Sequence, residues 1–384
     1  MSKNKIVLPI LFLLLFVAYY SLLKVIPADY NDIHDHAAFA RKMCTGEIPY
    51  TGNFLVYLLV NIFSFFTAKV TLTEISLCLL LAFAGAYRYF LSLKMIEEVV
   101  GDQKNDYCKN ILLAISVLFV FAIPVPGYFL GDQYMYIGTY VPNVWHNSTI
   151  LFLFPFAMLL FYFSYEQIIE FNAKRNWWIF GLVLLNLFIK PSYFFVLISV
   201  YPLFLLFKYQ FKKEFWYSIV PLIVGFLILI LQYWMIYKFT VPNAKDASSV
   251  IFLPFYKNPE FDDLYLIPIA MLFSLLFPLL YSVLNIRKII KSWVFWYTLF
   301  SFIFSVLIFF FLAESGPRAS HGNFYWQIVI CTWFCFFVAL LALLKDFRTT
   351  GKTLKNNFLL SIFSVHVIIG IIYFVRILLT GVYY

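Results

Sequence analysis

Long apolar runs separated by short polar connections set the plan of this chain. Runs of about 20 hydrophobic residues recur along it, the length an α-helix needs to cross a hydrocarbon core roughly 30 Å thick. The predicted spans are Ile6–Ile26, Phe54–Ala68, Thr71–Leu93, Asn110–Tyr128, Ser148–Tyr165, Trp177–Ile189, Tyr193–Phe207, Phe215–Tyr237, Leu264–Asn285, Trp293–Ala313, Phe324–Leu344 and Phe358–Leu379. One long polar stretch breaks this rhythm, Pro27 to Asn53, which carries Asp29, Asp32, Asp35, Glu47, His34, His36, Arg41 and Lys42. With Asp32 to Met43 read as a helix, Asp32, Asp35 and Phe39 fall at i, i+3 and i+7, and His36 lies one turn after Asp32. Two carboxylates, an imidazole and an aromatic ring then share one face.

Simple alternation over all twelve runs would place basic loops on both sides of the membrane. Phe54–Ala68, too short to cross without tilt or thinning, is therefore expected to re-enter or lie at the interface. The remaining eleven crossings gather the loops at 94–109, 166–175, 208–214, 286–292 and 345–357, where Lys and Arg concentrate, on the cytoplasmic side. The acids of the first loop, Glu314, His34, His36, His146 and His321 then face outward. The fold expected is all-α, a polytopic transmembrane helical bundle forming one integral membrane domain over 1–384. Its first outer loop (27–68) carries juxtamembrane helices. The outer loops at 129–147 and 239–263 are expected to fold over that first loop as a lid.

Composition excludes a soluble globular domain: 63% of the 384 residues are hydrophobic, 22% aromatic and only 12% charged, with a mean hydropathy of +0.87. The apolar run at Ile6–Ile26 is longer than a signal-peptide core and no small-x-small site follows it, so it is expected to stay as an anchor. The net charge of +9 is accounted for by the basic cytoplasmic loops, so no nucleic-acid partner is expected. The five cysteines are scattered, and His34 and His36, two apart, point to different sides of a helix. No metal, disulfide framework or cofactor is expected.

Four clusters carry candidate chemistry. Asp32 and Asp35 are placed to act as a general base towards a hydroxyl, with His36 as a neighbouring donor. Trp145, His146 and Asn147, at the outer end of a span, offer a stacking platform, a donor and an amide; an interfacial Trp beside a helix cap explains them equally well. Lys190 interrupts a long apolar stretch in Ile189-Lys190-Pro191-Ser192. At membrane depth a lysine costs about 2.5–3.5 kcal/mol, so an anionic partner, phosphate or carboxylate, is expected. In Glu314 to Gln327, ESGPRASHGNFYWQ, Arg318 presents a rigid fork suited to phosphate, and Glu314, His321 and Asn323 add polar contacts. Glu74, His366, Arg88 and Arg376 are read as packing residues, with no evident partner for Glu74.

The layout of one anchor, an outer loop with Asp32 and Asp35, then Gly46-Glu47 and Pro49-Tyr50, then a membrane-dipping helix resembles the GT-C superfamily of membrane glycosyltransferases. Lys190-Pro191-Ser192 is also similar to a turn found in such proteins. The Asp-Glu pair of the protein mannosyltransferases and the Trp-Trp-Asp signature of the oligosaccharyltransferases do not occur, so the resemblance names no acceptor. It implies an inverting sugar transfer from a polyprenyl-phosphate donor to a glycan, lipid or protein acceptor, at the outer face of a bacterial inner membrane. Asp32 would be the base, with Asp35 as its rival. Lys190, Arg318 and His321 would hold phosphate, Trp145 and His146 would contact sugar or lipid, and no divalent metal would be needed. A polysaccharide polymerase or ligase, a lipid-linked sugar flippase and a membrane-bound acyltransferase are the competing readings.

Overall fold

The computed structural model describes residues 4–50, 52–101, 107–124, 140–239, 248–254 and 266–383. In chain order, helix α1 (Asn4–Val25) leads through a 3-10 turn (Ala28–Tyr30) into α2 (Asp32–Cys44), followed by α3 (Leu55–Phe63), α4 (Val70–Val100) and α5 (Tyr107–Phe119). Then come α6 (Ser148–Ile169), α7 (Ala173–Ile189), α8 (Ser192–Tyr209) and α9 (Lys213–Trp234), which a π-helical turn continues to Phe239. Strand β1 (Val250–Phe252) precedes α10 (Leu266–Ser274), α11 (Leu276–Leu284), α12 (Ile286–Ile289) and α13 (Trp293–Phe311). Strand β2 (Leu312–Glu314), a 3-10 turn (Gly316–His321), α14 (Trp326–Thr350) and α15 (Leu354–Thr380) complete the order.

Eight of these helices, among the described residues, are long and apolar enough to cross a bilayer: α1, α4, α6, α8, α9, α13, α14 and α15. The chain is an integral membrane protein built as a nearly all-helical bundle. α14 and α6 are its most buried members, whereas α1, α9 and α15 turn much of their surface outward. That outward surface is apolar: Ile223, Phe226, Leu227, Ile230 and Leu231 of α9 are all exposed. This suits a helix whose backbone is satisfied internally and whose solvent is hydrocarbon.

Polar side chains are instead turned inward and paired. Arg88 of α4 lies over the rings of Phe154 (3.6 Å) and Trp333 (4.6 Å) and donates to Asn143 Oδ1 at 3.0 Å. Asn143 in turn donates to the Leu118 carbonyl at 2.6 Å. One buried guanidinium thus fixes the segment that leads into α6. His366 contacts the Phe121 carbonyl at 2.6 Å. Both residues pack the bundle, as expected. Glu74 does have partners, His34 at 2.8 Å and Lys24 at 3.8 Å.

Contacts distant in sequence define two ends of the bundle. At one end, Arg348 donates to the Val99 carbonyl, and Lys288 pairs with Asp346 at 2.6 Å. Lys355 there donates to Asn285. At the other end lie α2, α3, the start of α6, the α7–α8 turn and the segment from β2 to α14. The antiparallel pair Val250↔Glu314, Ile251↔Ala313 and Phe252↔Leu312 caps that end.

Two predicted spans change, while Phe54–Ala68, expected to re-enter or lie at the interface, forms a short helix. Phe54–Ala68 yields only α3, whose nine residues rise about 14 Å at 1.5 Å each, too little to cross. Leu264–Asn285 is interrupted at Leu275 between α10 and α11. In Asn110–Tyr128 the helix stops at Phe119, and 120–124 is not helical. The lid expected of loops 129–147 and 239–263 falls largely outside the described residues.

Candidate functional site

Asn31 sets the geometry of the acidic end. Its side chain accepts from the His34 N–H at 3.3 Å as the cap of α2, and its amide donates to the carbonyls of Leu23 and Ile26 at the end of α1. One buried residue therefore joins α1 to α2 and fixes where Asp32 begins the helix. The Asp32 carboxylate accepts from the Ser148 N–H at 2.7 Å, in the first turn of α6. It also lies 3.4 Å from His36 Nε2, and His36 Nδ1 is 2.8 Å from the Tyr57 hydroxyl on α3. Burial pulls the Asp32 carboxyl upward, but the His36 imidazole and the Ser148 N–H outweigh it and hold its pKa at about 2. Asp35 is exposed, and partial burial beside the Asp32 charge raises its pKa.

A second group converges from the far half of the sequence. Glu314, at the end of β2 and 5% exposed, accepts from Arg318 Nε at 2.9 Å, from the Asn323 amide at 2.5 Å and from the Tyr237 hydroxyl. This holds one edge of the guanidinium. The Arg318 Nη groups have no hydrogen bond among the described residues. Lys190, in the α7–α8 turn, has no carboxylate partner there either. Its ammonium donates to Thr149 Oγ1 at 3.3 Å and lies 5.3 Å from the centre of the Trp326 ring. Burial lowers its pKa to about 8 against the pull of Asp32 and Glu314, and Arg318 lowers it further. Tyr57 likewise senses both Asp32 and Arg318. The acid near residue 30 and the guanidinium near residue 320 therefore lie at one end of the bundle, but Arg318 lines the cavity there and Asp32 does not.

Lys190, Glu314, Arg318 and Asn323 line a cavity of about 310 Å³. Leu229, Ile230, Tyr233 and Ile236, from α9 and its π-helical extension, form an apolar wall. Phe226, Leu227 and Leu231 of the same helix are exposed and do not line the cavity, so the cavity lies behind a helix that turns an apolar face outward. Gln232 steadies this wall by donating to the carbonyls of Gly52 (2.7 Å) and Leu187 (2.9 Å).

Two expected contact residues are reassigned. Trp145 is buried in the core against Phe374 (4.4 Å), Phe119 (5.4 Å) and Tyr19 (6.1 Å) and cannot serve as a stacking platform. Asn147 caps α6, accepting from Ile150 N–H and Thr149 Oγ1 at 3.0 Å, so its amide oxygen is already occupied. Glu314 and Asn323 act within the site by fixing Arg318. His146 packs on Tyr383 (4.4 Å) and Trp326 (5.6 Å) near Asp32 and Lys190, where burial holds its pKa at about 4 and leaves the ring neutral. His321 ends the 3-10 turn, but its side chain lies outside the described residues. No group of three or more metal-ligating side chains occurs among the described residues.

Tyr57, Ser148, Thr149, Tyr237 and Tyr383 join the site without any sequence signal, and Trp326 joins it from within the Glu314–Gln327 stretch. Each is an ordinary residue of an apolar helix or turn until the fold brings its partner to it. No protein-family model matches this chain, and neither a curated protein nor a solved structure shows detectable similarity to it.

Proposed function

We propose that this protein is a membrane glycosyltransferase of the GT-C type, crossing the bilayer eleven times. It would move a sugar from a polyprenyl-phosphate donor to a hydroxyl acceptor at the outer face of a bacterial inner membrane. The observation that carries this reading is Lys190: a half-buried ammonium with no carboxylate in salt-bridge contact among the described residues, lining with Arg318 a cavity whose far wall is an outward-facing apolar helix. Lys190 and the edge of Arg318 not paired to Glu314, at the polar end of an apolar cleft, fit a phosphate on a lipid tail, because burial strengthens their attraction for a bound anion.

The chemistry follows from that placement. The acceptor oxygen attacks the anomeric carbon and its proton passes to the Asp32 carboxylate. The bond from that carbon to the phosphate oxygen breaks, its electron pair stays on phosphate, and Lys190 and Arg318 neutralise the charge. Attack opposite the leaving group inverts the centre. Asp32, held at about 2, is ionised throughout the physiological range. It takes the proton only as attack makes the hydroxyl acidic, while His36 and the Ser148 N–H fix its orientation.

The test is transfer from undecaprenyl-phosphate hexoses by the purified protein in nanodiscs. Asp32→Asn is expected to lower transfer by about 10²-fold or more. Arg318→Lys, which keeps the charge but loses the fork, should lower it by about tenfold. Full activity in both variants would sink the assignment, and movement of donor lipid across the bilayer without transfer would favour a flippase.

A further inference from the structure

The segment after α15 turns back into the bundle. Gly381 adopts φ +69, and a Cβ there would meet the Val25 carbonyl oxygen at 2.6 Å, so only glycine lets the chain pass so close to the end of α1. Tyr373 then donates to the Tyr383 carbonyl at 2.9 Å and fixes the backbone where it re-enters. The Tyr383 ring, 7% exposed, lies against His146 at 4.4 Å, two residues before the Ser148 N–H that Asp32 accepts. Its hydroxyl is buried with no hydrogen-bond partner among the described residues. An orphaned buried phenol leaves a hydrogen bond unmade, which a bound polar group can complete.

We infer that Tyr383, with His146 and Asp32, forms a polar subsite for a hydroxyl of the acceptor, separate from the phosphate-binding cavity and joined to it through Lys190. The inference rests on the sugar-transfer reading above and adds to it the place where the acceptor sits. Lys190 reaches both compartments. It lines the cavity with Arg318, and its ammonium bonds Thr149 and faces the Trp326 ring, which in turn meets His146 edge-on. A sugar carried on phosphate would have its anomeric carbon next to Lys190, with an attacking hydroxyl approaching from the His146–Tyr383 side. Burial and the nearby Asp32 charge push the Tyr383 phenol up, so it stays protonated and donates. The ligand class is an alcohol of a sugar or polyol. The phenol offers it a hydrogen bond and His146 a neutral ring packed beside it, neither competing for the phosphate.

The experiment compares wild type, Tyr383→Phe and Asp32→Asn in nanodiscs, with undecaprenyl-phosphate hexoses as donors and octyl glucoside, galactoside and mannoside as acceptors. Tyr383→Phe is expected to raise the acceptor KM by about tenfold, with donor KM and donor hydrolysis within about twofold of wild type. Because the hydroxyl has no partner among the described residues to lose, the variant should melt at or above the wild-type temperature. An unchanged acceptor KM, or a melting temperature several degrees lower, overturns the inference while leaving the transfer reading intact. A wild type that transfers to none of these acceptors overturns the reading and the inference with it.

Discussion

Under the proposed function, the half-buried charge of Lys190 would act on stability and activity in opposite directions. Its pKa falls to about 8 because burial disfavours the ammonium, and the folded state therefore binds fewer protons there than the unfolded chain does. Stability should rise with pH between about 8 and the ordinary lysine range, and the cost of the charge is fully present below 8. Under the proposed function activity would run the other way, since only the protonated form would neutralise phosphate. Transfer should therefore decline as pH climbs through about 8. Lys190→Arg should flatten that decline, because a guanidinium stays charged, and Lys190→Met should melt higher at pH 7 while transferring at least about tenfold more slowly. A pH–rate profile of wild type and both variants, with melting curves, checks all three. An undiminished rate in Lys190→Met removes the ammonium from the site.

At the scale of elements, α2 depends on one cap. Asn31 supplies the oxygen that starts α2 and the amide that satisfies two carbonyls closing α1. Asn31→Ala is expected to cost about 1–2 kcal/mol, seen as a lower melting temperature. It should also reduce transfer, because Asp32 is the next residue and would lose its fixed approach to Ser148. Asn31→Asp restores the capping oxygen but not the donor, so an intermediate melting temperature is expected. Equal melting of all three proteins would show that the cap does not hold α2. The helical period made this element readable in advance: Asp32 and His36, four apart, do meet. The same reasoning could not tell a buried Trp145 from an exposed one, or a capping Asn147 from a sugar-binding one. Local sequence is identical in either case, and the difference is made by Phe374 and Phe119, which come from other helices.

For the whole molecule, the charges at its two ends make a claim about orientation. Lys288, Lys291, Lys345, Arg348 and Lys355 gather at the end opposite Asp32, consistent with that end facing the cytoplasm. In a cysteine-free background, Thr45→Cys is expected to react with a membrane-impermeant maleimide added to intact cells, and Lys291→Cys only after permeabilisation. Both positions are exposed, so access alone decides the result. Labelling of both from outside would break the two-ended organisation, and the reverse pattern would turn the site to the cytoplasm.

Apolar run length, the scarcity of charge within the runs and the basic character of alternate loops determined that the chain lives in a membrane as a helical bundle. These are properties of transfer from water to hydrocarbon and act on each segment independently. The acidic first loop, Lys190 and Arg318 stood out for the same reason, since a polar group in such surroundings needs a partner. Which partner it finds was decided only by tertiary structure. Asp32 meets an N–H 116 positions away, Lys190 meets a hydroxyl 41 positions away, and Tyr383 returns to cover His146. Hydrogen bonds and ring contacts act over a few ångströms, so they depend on which helix ends the packing of the bundle brings side by side, and no local pattern encodes that.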